Sequence, residues 1–335
     1  MLPEIIAELN VRHTCRKPVF VLGAPRSGTS VMVKLLRKYL KVNFGTESQF
    51  IIRLHRELWR YGDLKQENNM RHLLEDISSE RCFRRWKKRF GFELDVEMVF
   101  RDLTEYNYSG ALQAIFQQFA AYHGMQRWGD KTPAYLYDLD TLHQLFPDAQ
   151  YIHIVRDGRD VALSAFATPF GEKNLYKSAV NWRQKISLAR EFRRKLPPGR
   201  FIEIRYEDLL CEPLLVFGWL IKFLRIEDPD KHLIGFIETH VKEDLRSNNV
   251  YKWKRQGRAD EMHLFDRLTA DLLERYGYES RFSSPGEIHP FRKLYYEINN
   301  FLKKRIDSRY WADNLYKSRL HLRTTGNAFK KLLYS

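Results

Sequence analysis

The chain has 335 residues, of which 44 % are hydrophobic, 30 % are charged and three are cysteines. It is long enough to bury a sizeable core, as one large α/β domain or two smaller ones, which excludes a disordered tail protein and a collagen-like repeat. The formal net charge of +15 favours anionic partners such as nucleotides, nucleic acid, lipid headgroups or acidic glycans, and says nothing about fold. Cys15, Cys82 and Cys211 are too scattered for a disulfide framework or a zinc site, and they fit a reducing compartment. Residues 1–17 lack a basic segment followed by an apolar one, so no secretory signal is expected. The longest apolar run, Leu214 to Ile221, is far short of the roughly 20 residues that a membrane span needs. The expected location is therefore cytoplasmic, at most peripheral to a membrane.

Pro18 to Leu22 is an apolar run ending at Gly23, which predicts a buried strand. Thr29 to Leu40 carries Val31, Val33, Leu35, Leu36 and Leu40 and predicts a helix packed on that strand. Residues 50–105 are charged and aromatic at helical spacing, and Ser109 to Tyr122 has Leu112, Ile115, Phe116 and Phe119 on one face. Tyr151 to Val155 predicts a second buried strand, and Phe201 to Ile204 a third. Helices are expected at Tyr176 to Leu196, with Trp182 in the core, and at Leu214 to Leu224. Strands alternating with helices predict an α/β fold: a parallel sheet with helices on both faces, in three layers.

Gly23-Ala-Pro25-Arg26-Ser27-Gly28-Thr29-Ser30 lies between a strand and a helix. A glycine turn there presents backbone N–H groups and the positive helix end to an anion. Arg26 adds a bidentate donor, and Ser27, Thr29 and Ser30 add hydroxyls. The glycine spacing is that of a Walker loop, but Thr29 stands where the Walker lysine belongs, which argues against hydrolysis of a nucleoside triphosphate. The second segment, Val155-Arg156-Asp-Gly-Arg-Asp-Val-Ala-Leu-Ser164, follows the second strand. Arg156 falls at a strand's carboxyl end, where α/β sheets bind ligands, and Ser164 is about two helical turns further on. The competing reading is a solvated cluster capping a helix, with Asp157 and Asp160 pairing with Arg159.

The pair APRSGTS and VRDGRDVALS, each after a strand, resembles the sulfotransferases that use 3′-phosphoadenosine-5′-phosphosulfate, over roughly residues 18–280. The spacing is most similar to that of the tyrosylprotein sulfotransferases and bacterial relatives. The resemblance implies a P-loop NTPase-like sulfotransferase fold, with the 5′-phosphosulfate on Pro25 to Ser30 and the 3′-phosphate on Arg156 and Ser164. It implies that Glu47, in Phe44-Gly-Thr-Glu47, is the catalytic base, although Thr46 replaces the first glutamate of the family's pair. Lys131, in Trp128-Gly-Asp-Lys-Thr-Pro133, matches the lysine that stabilises the transferring group. Tyr206 matches a tyrosine near the nucleotide, and Ser247 a serine on the phosphosulfate; Lys254, Arg255 and Arg258 are further candidates for the 3′-phosphate.

The expected reaction is in-line transfer of a sulfuryl group to a carbohydrate, lipid or tyrosine hydroxyl, with Glu47, Arg26 and Lys131 as the catalytic set and no metal. Duller roles stay open: Glu47 as a helix cap, Lys131 as a partner of Asp130, Tyr206 as core filling. His55, His123 and His153 are alternative bases, His153 reading as a buried strand residue. Residues 1–282 are expected to form the catalytic domain and 283–335 a basic helical extension, reached through Ser283-Ser-Pro-Gly286. Residues 291–335 hold 11 Lys or Arg against 3 Asp or Glu. That excess suits an anionic membrane leaflet or an acidic glycan, and no nucleic acid partner is expected. A P-loop nucleotide kinase or NTPase, or a non-catalytic basic nucleic-acid- or lipid-binding protein, are the alternatives.

Overall fold

The computed structural model describes residues 11–14, 16–228, 231–245, 249–257 and 259–307. They fall into two compact units, one from residues up to Arg156 plus Lys185–Val250, the other from Asp157–Gln184 plus the residues from Tyr251 onward.

The first unit holds five parallel strands: β1 (Val19–Gly23), β2 (Val42–Phe44), β3 (Arg127–Asp130), β4 (Gln150–Val155) and β5 (Phe201–Arg205). Their order across the sheet is β2-β3-β1-β4-β5. Register pairs Leu22 with His153 and Ile154 with Ile204. Alternate residues of the central strands enter two different cores. Phe20, Leu22 and Tyr151 join one, with Ile115, Phe116 and Phe119 of helix Tyr108–Tyr122. Val19, Val21, Ile152 and Ile154 join the other, with Met32, Leu35 and Leu36 of helix α1 (Thr29–Leu40). Burial on both faces is why these strands read as continuous apolar runs, and the helices on either side complete three layers. A short antiparallel ladder pairs Arg12–His13 with Ile226–Glu227.

The strands and helices expected from apolar runs are present within a residue or two, including helices Leu175–Lys195 and Pro213–Leu224. Two strands of the five-stranded sheet escape that reading, as do the short strands Arg12–His13 and Ile226–Glu227. β2 is Val-Asn-Phe and β3 is Arg-Trp-Gly-Asp, neither of them an apolar run. Both are wholly buried, and most of their polar groups find partners inside, the Asn43 side-chain oxygen excepted. Arg127 donates to the carbonyls of Lys17 (2.6 Å) and Leu224 (2.9 Å) and to Gln150 Oε1 (2.5 Å). Asn43 donates to the Phe119 carbonyl at 3.0 Å, and Trp128 stacks on Phe116 with centroids 4.6 Å apart. His153 is a buried strand residue as expected, 2.8 Å from Glu203 on β5.

The second unit contains α2 (Gly158–Phe166), a helix at Ala259–Arg275, and α3 (Pro290–Ile306). The Asp157-Gly-Arg-Asp160 cluster lies here, and it is buried rather than solvated. Asp157 does cap α2, accepting from the Arg159 amide at 2.9 Å. Arg159 pairs with Asp157 (2.8 Å) and with Asp266 (2.9 Å), and its guanidinium lies 3.7 Å from the Trp253 ring centroid. Asp160 instead accepts from the Trp253 amide at 2.9 Å. A charge this deeply enclosed is tolerable only with two carboxylates around it. Trp182 is core, as expected. Residues 283–286 carry no regular secondary structure.

Candidate active site

Within the first unit, every strand of the sheet ends next to a candidate residue. β1 runs into the loop Gly23–Gly28, β2 is followed by Glu47, β3 by Lys131, β4 by Arg156 and β5 by Tyr206. The chain leaves β1 toward β2 on one side and continues through β4 and β5 on the other, so β1 is the switch point of the sheet. Parallel α/β sheets bind ligands at the carboxyl ends of such strands.

The loop is closed by the Ser27 amide donating to the Ala24 carbonyl at 3.0 Å. Arg26 sits at φ 74° and Gly28 at φ 101°, left-handed conformations that wrap the backbone around an open end of α1. α1 begins with no side-chain cap and no acidic residue in its first turn. Its leading N–H groups therefore keep the positive helix end for an anion. Ser27 Oγ is buried with no hydrogen-bond partner, which is costly unless a ligand supplies one. Arg26 and Ser30 are exposed beside it, and Thr29 is buried.

Tyr206 fills the core, and it also forms the floor of the loop. A Cβ at Gly28 would stand 2.2 Å from its ring, so only glycine fits there. Asn249 donates to the Tyr206 hydroxyl at 2.8 Å. Arg156 spans the same group: it donates to the Arg26 carbonyl (3.1 Å) and the Asn249 carbonyl (2.7 Å), with its guanidinium 4.7 Å from the Tyr206 centroid. In this arrangement Arg156 braces the loop.

At the other side of β1, Lys131 Nζ donates to Glu47 Oε1 at 2.5 Å. The second carboxylate oxygen of Glu47 accepts from Gln49 at 3.2 Å. Glu47 is not a helix cap, because the next helix starts at Ile51 behind Phe50. The Lys131 ammonium bonds Glu47 rather than Asp130, which takes the Lys131 backbone amide and feels its charge. Asp130 turns inward, accepting from Ser48 (2.8 Å) and Thr132 (3.0 Å), while Ser48 also meets the Tyr135 hydroxyl at 2.7 Å. Burial raises the Asp130 pKa to about 6, and the two hydroxyl donors pull the other way. Next to Glu47, Thr46 Oγ1 is buried without a partner, and Gly45 lies so close to Trp86 that a Cβ would be 2.3 Å from the indole.

Sequence reasoning missed Asp130, Ser48 and Asn249 as supports of the site; the only signal was that Asp130 adjoins Lys131. Of the histidines, His153 lies within β4, His123 follows helix Tyr108–Tyr122 bonded to the Phe119 carbonyl at 3.0 Å, and His55 lies on helix Ile51–Arg56. None follows the carboxyl end of a strand. Ser164 lies in the second unit, half-buried on α2, where Lys254 also pairs with Glu279. Ser247 and Arg258 lie outside the described residues.

The model of the family described as "Sulfotransferase family" matches residues 18–230. Omega-hydroxy-beta-dihydromenaquinone-9 sulfotransferase of Mycobacterium bovis is 26 % identical over 178 residues, 48 % of this chain and 43 % of that protein. Protein-tyrosine sulfotransferase 2 of Gallus gallus is 24 % identical over 302 residues, covering 81 % of this chain and 72 % of that one. The chain spans 32 % of a further relative, an uncharacterised protein of Aquifex aeolicus, so it covers less than half the length of two curated proteins it matches. Among solved structures, the sulfotransferase domain of the Synechococcus PCC 7002 olefin synthase aligns with a TM-score of 0.51 at 20 % identity, over 79 % of this chain and 97 % of that one. That likeness concerns the fold.

Proposed function

The chain belongs to the sulfotransferase family, and we propose that it moves a sulfuryl group from 3′-phosphoadenosine-5′-phosphosulfate to an acceptor hydroxyl. One observation supports the proposal: the five parallel strands end, on one side of the sheet, beside the Gly23–Gly28 loop, Glu47, Lys131, Arg156 and Tyr206, residue types suited to binding an anion or handling a proton. The loop fits the co-substrate, because the buried, unpartnered Ser27 hydroxyl and the uncapped start of α1 both call for an anionic oxygen. Pro25 to Ser30 would hold the 5′-phosphosulfate, and Arg156 and Tyr206 would hold the nucleotide side of the loop. Ser164 and Ser247 are proposed as further ligands on the motif resemblance alone. Thr29 occupies the place of the Walker lysine, which disfavours chemistry on a γ-phosphate.

Glu47 would accept the proton of the acceptor hydroxyl as its oxygen bonds to sulfur. The bond between sulfur and the 5′-phosphate oxygen breaks, and adenosine 3′,5′-bisphosphate departs. Lys131 and Arg26 would meet the negative charge that develops on the bridging and sulfuryl oxygens. The 2.5 Å contact between Lys131 and Glu47 keeps the base beside the cation that serves the same transfer. The relatives are named for a menaquinone hydroxyl and for protein tyrosine; lipid, tyrosine and carbohydrate hydroxyls are the proposed acceptor classes. The test is mass spectrometry of host lysate incubated with the protein and an isotopically labelled donor. Labelled sulfate esters formed by the native protein and absent with Glu47→Gln support the reading; phosphorylated products made from ATP instead would overturn it.

A further inference from the structure

α3 is attached to its unit the wrong way round for a core helix. Its polar side faces the protein. Asn300 is buried, accepting from the Lys173 amide (2.7 Å) and donating to Glu172 (2.6 Å). Lys304 pairs with Glu172 at 2.7 Å, Glu297 with Lys177 at 2.8 Å, and Asn174 donates to the Tyr296 carbonyl at 2.7 Å. The apolar stripe points outward: Phe291, Leu294, Ile298, Phe301, Leu302 and Ile306 recur at helical spacing, and each is more than half exposed. An amphipathic helix normally buries that face, and a contiguous apolar patch of this kind marks a contact surface.

Charge says what the contact is. Arg292, Lys293, Lys303 and Arg305 are exposed on the same helix, Lys304 being taken up by Glu172, and Glu297 is the helix's one acidic residue. Beside α3, still within this unit, is a cavity of about 830 Å³ lined by Arg267, Arg292 and Lys303, by Asn174, Asn299 and His263, and by aromatic and aliphatic side chains; a fourth lining cation, Lys173, is already paired with Asp307 at 3.0 Å. An outward apolar stripe flanked by cations, next to a cationic cavity with greasy walls, has the chemistry of an interface between lipid headgroups and acyl chains. We propose that α3 lies flat on an anionic phospholipid surface, its stripe in the acyl boundary and the neighbouring cavity receiving a lipid phosphate. An acidic glycan would use the cations and leave the stripe in water, so the stripe favours the bilayer. The proposal does not depend on the reaction above.

The test is flotation of the full-length protein with vesicles of phosphatidylcholine alone or containing phosphatidylglycerol. The protein is expected to float with the phosphatidylglycerol vesicles and to stay behind with pure phosphatidylcholine. Leu294→Ser with Ile298→Ser should weaken that binding about tenfold or more, because removing buried methylenes removes the insertion term. Arg292→Glu with Lys303→Glu should weaken it comparably and reduce its salt sensitivity. All these side chains are exposed or line the cavity, so thermal stability and nucleotide binding serve as controls for folding and should not change. Vesicle binding that survives the stripe substitutions overturns the proposal. So does retention on heparin without flotation, which would indicate a glycan, or a native dimer that the stripe substitutions convert to a monomer.

Discussion

Gly28 and Tyr206 are mutually exclusive in size: the tyrosine ring occupies the volume that any side chain at position 28 would need. Residues 178 positions apart in the chain are thereby fitted to each other, and the loop after β1 takes its form from the residue after β5.

Gly28→Ala is accordingly expected to fail twice. The new methyl meets the ring, and φ 101° is disfavoured for any residue but glycine. We expect a loss of about 1–3 kcal/mol, read as a fall in Tm of several degrees. Titration with adenosine 3′,5′-bisphosphate should also show weakened binding. Normal stability and affinity in this variant would mean that the loop and Tyr206 are not coupled.

Arg156→Lys keeps the charge and removes the geometry. A lysine cannot span the Arg26 and Asn249 carbonyls while lying flat on Tyr206. Affinity for adenosine 3′,5′-bisphosphate should drop by about tenfold or more, with a smaller change in Tm. An unchanged dissociation constant would assign Arg156 no part in holding the loop.

Glu47→Gln is expected to lower turnover by about 10²–10⁴-fold, the range for loss of a positioned general base, while leaving nucleotide affinity within a few-fold. Lys131→Met should lower kcat as well, since it removes the cation proposed to meet the transferring group and the partner of Glu47. Turnover that persists in Glu47→Gln places the base elsewhere.

Asp130 makes a prediction about pH. Burial holds its pKa near 6 in the folded protein, above the value of about 3.9 in an unfolded chain. The folded state thus binds this proton more tightly. The resulting stabilisation is complete below about pH 4 and is lost as pH rises through about 6. Asp130→Asn removes that dependence. Denaturant melts from pH 4 to pH 7 should show the variant gaining on the native protein by at most about 1.4 kcal/mol per pH unit, levelling off above pH 6. A difference that is flat across this range would contradict the buried assignment.

The parts of this fold that are readable from the chain are those in which burial acts on consecutive residues. β1, β4 and β5 are apolar runs because both their faces are covered, and α1 shows its face by spacing. β2 and β3 are unreadable because their polar residues are satisfied from far away: Arg127 takes partners at positions 17, 150 and 224. At the site, the loop and Arg156 stand out by residue type and place. Glu47 and Lys131 emerge only through likeness to a family, since nothing local links two residues 84 positions apart. Of the Asp130, Ser48 and Tyr135 network, the chain shows only that Asp130 adjoins Lys131, because its partners come from positions 48 and 135. For α3, spacing gives an apolar face and a polar one, and only the positions of Glu172 and Lys173 decide which of them meets the protein.

The central claim is that the strand ends of one sheet form a site for a 3′-phosphorylated adenosine nucleotide, and calorimetric titration tests it most directly. Native protein should bind adenosine 3′,5′-bisphosphate without magnesium, more tightly than adenosine 5′-monophosphate and more tightly than ATP with magnesium, and Arg156→Lys should weaken that binding. Tighter binding of magnesium–ATP, or equal binding of the two adenosine nucleotides with and without the 3′-phosphate, would contradict it.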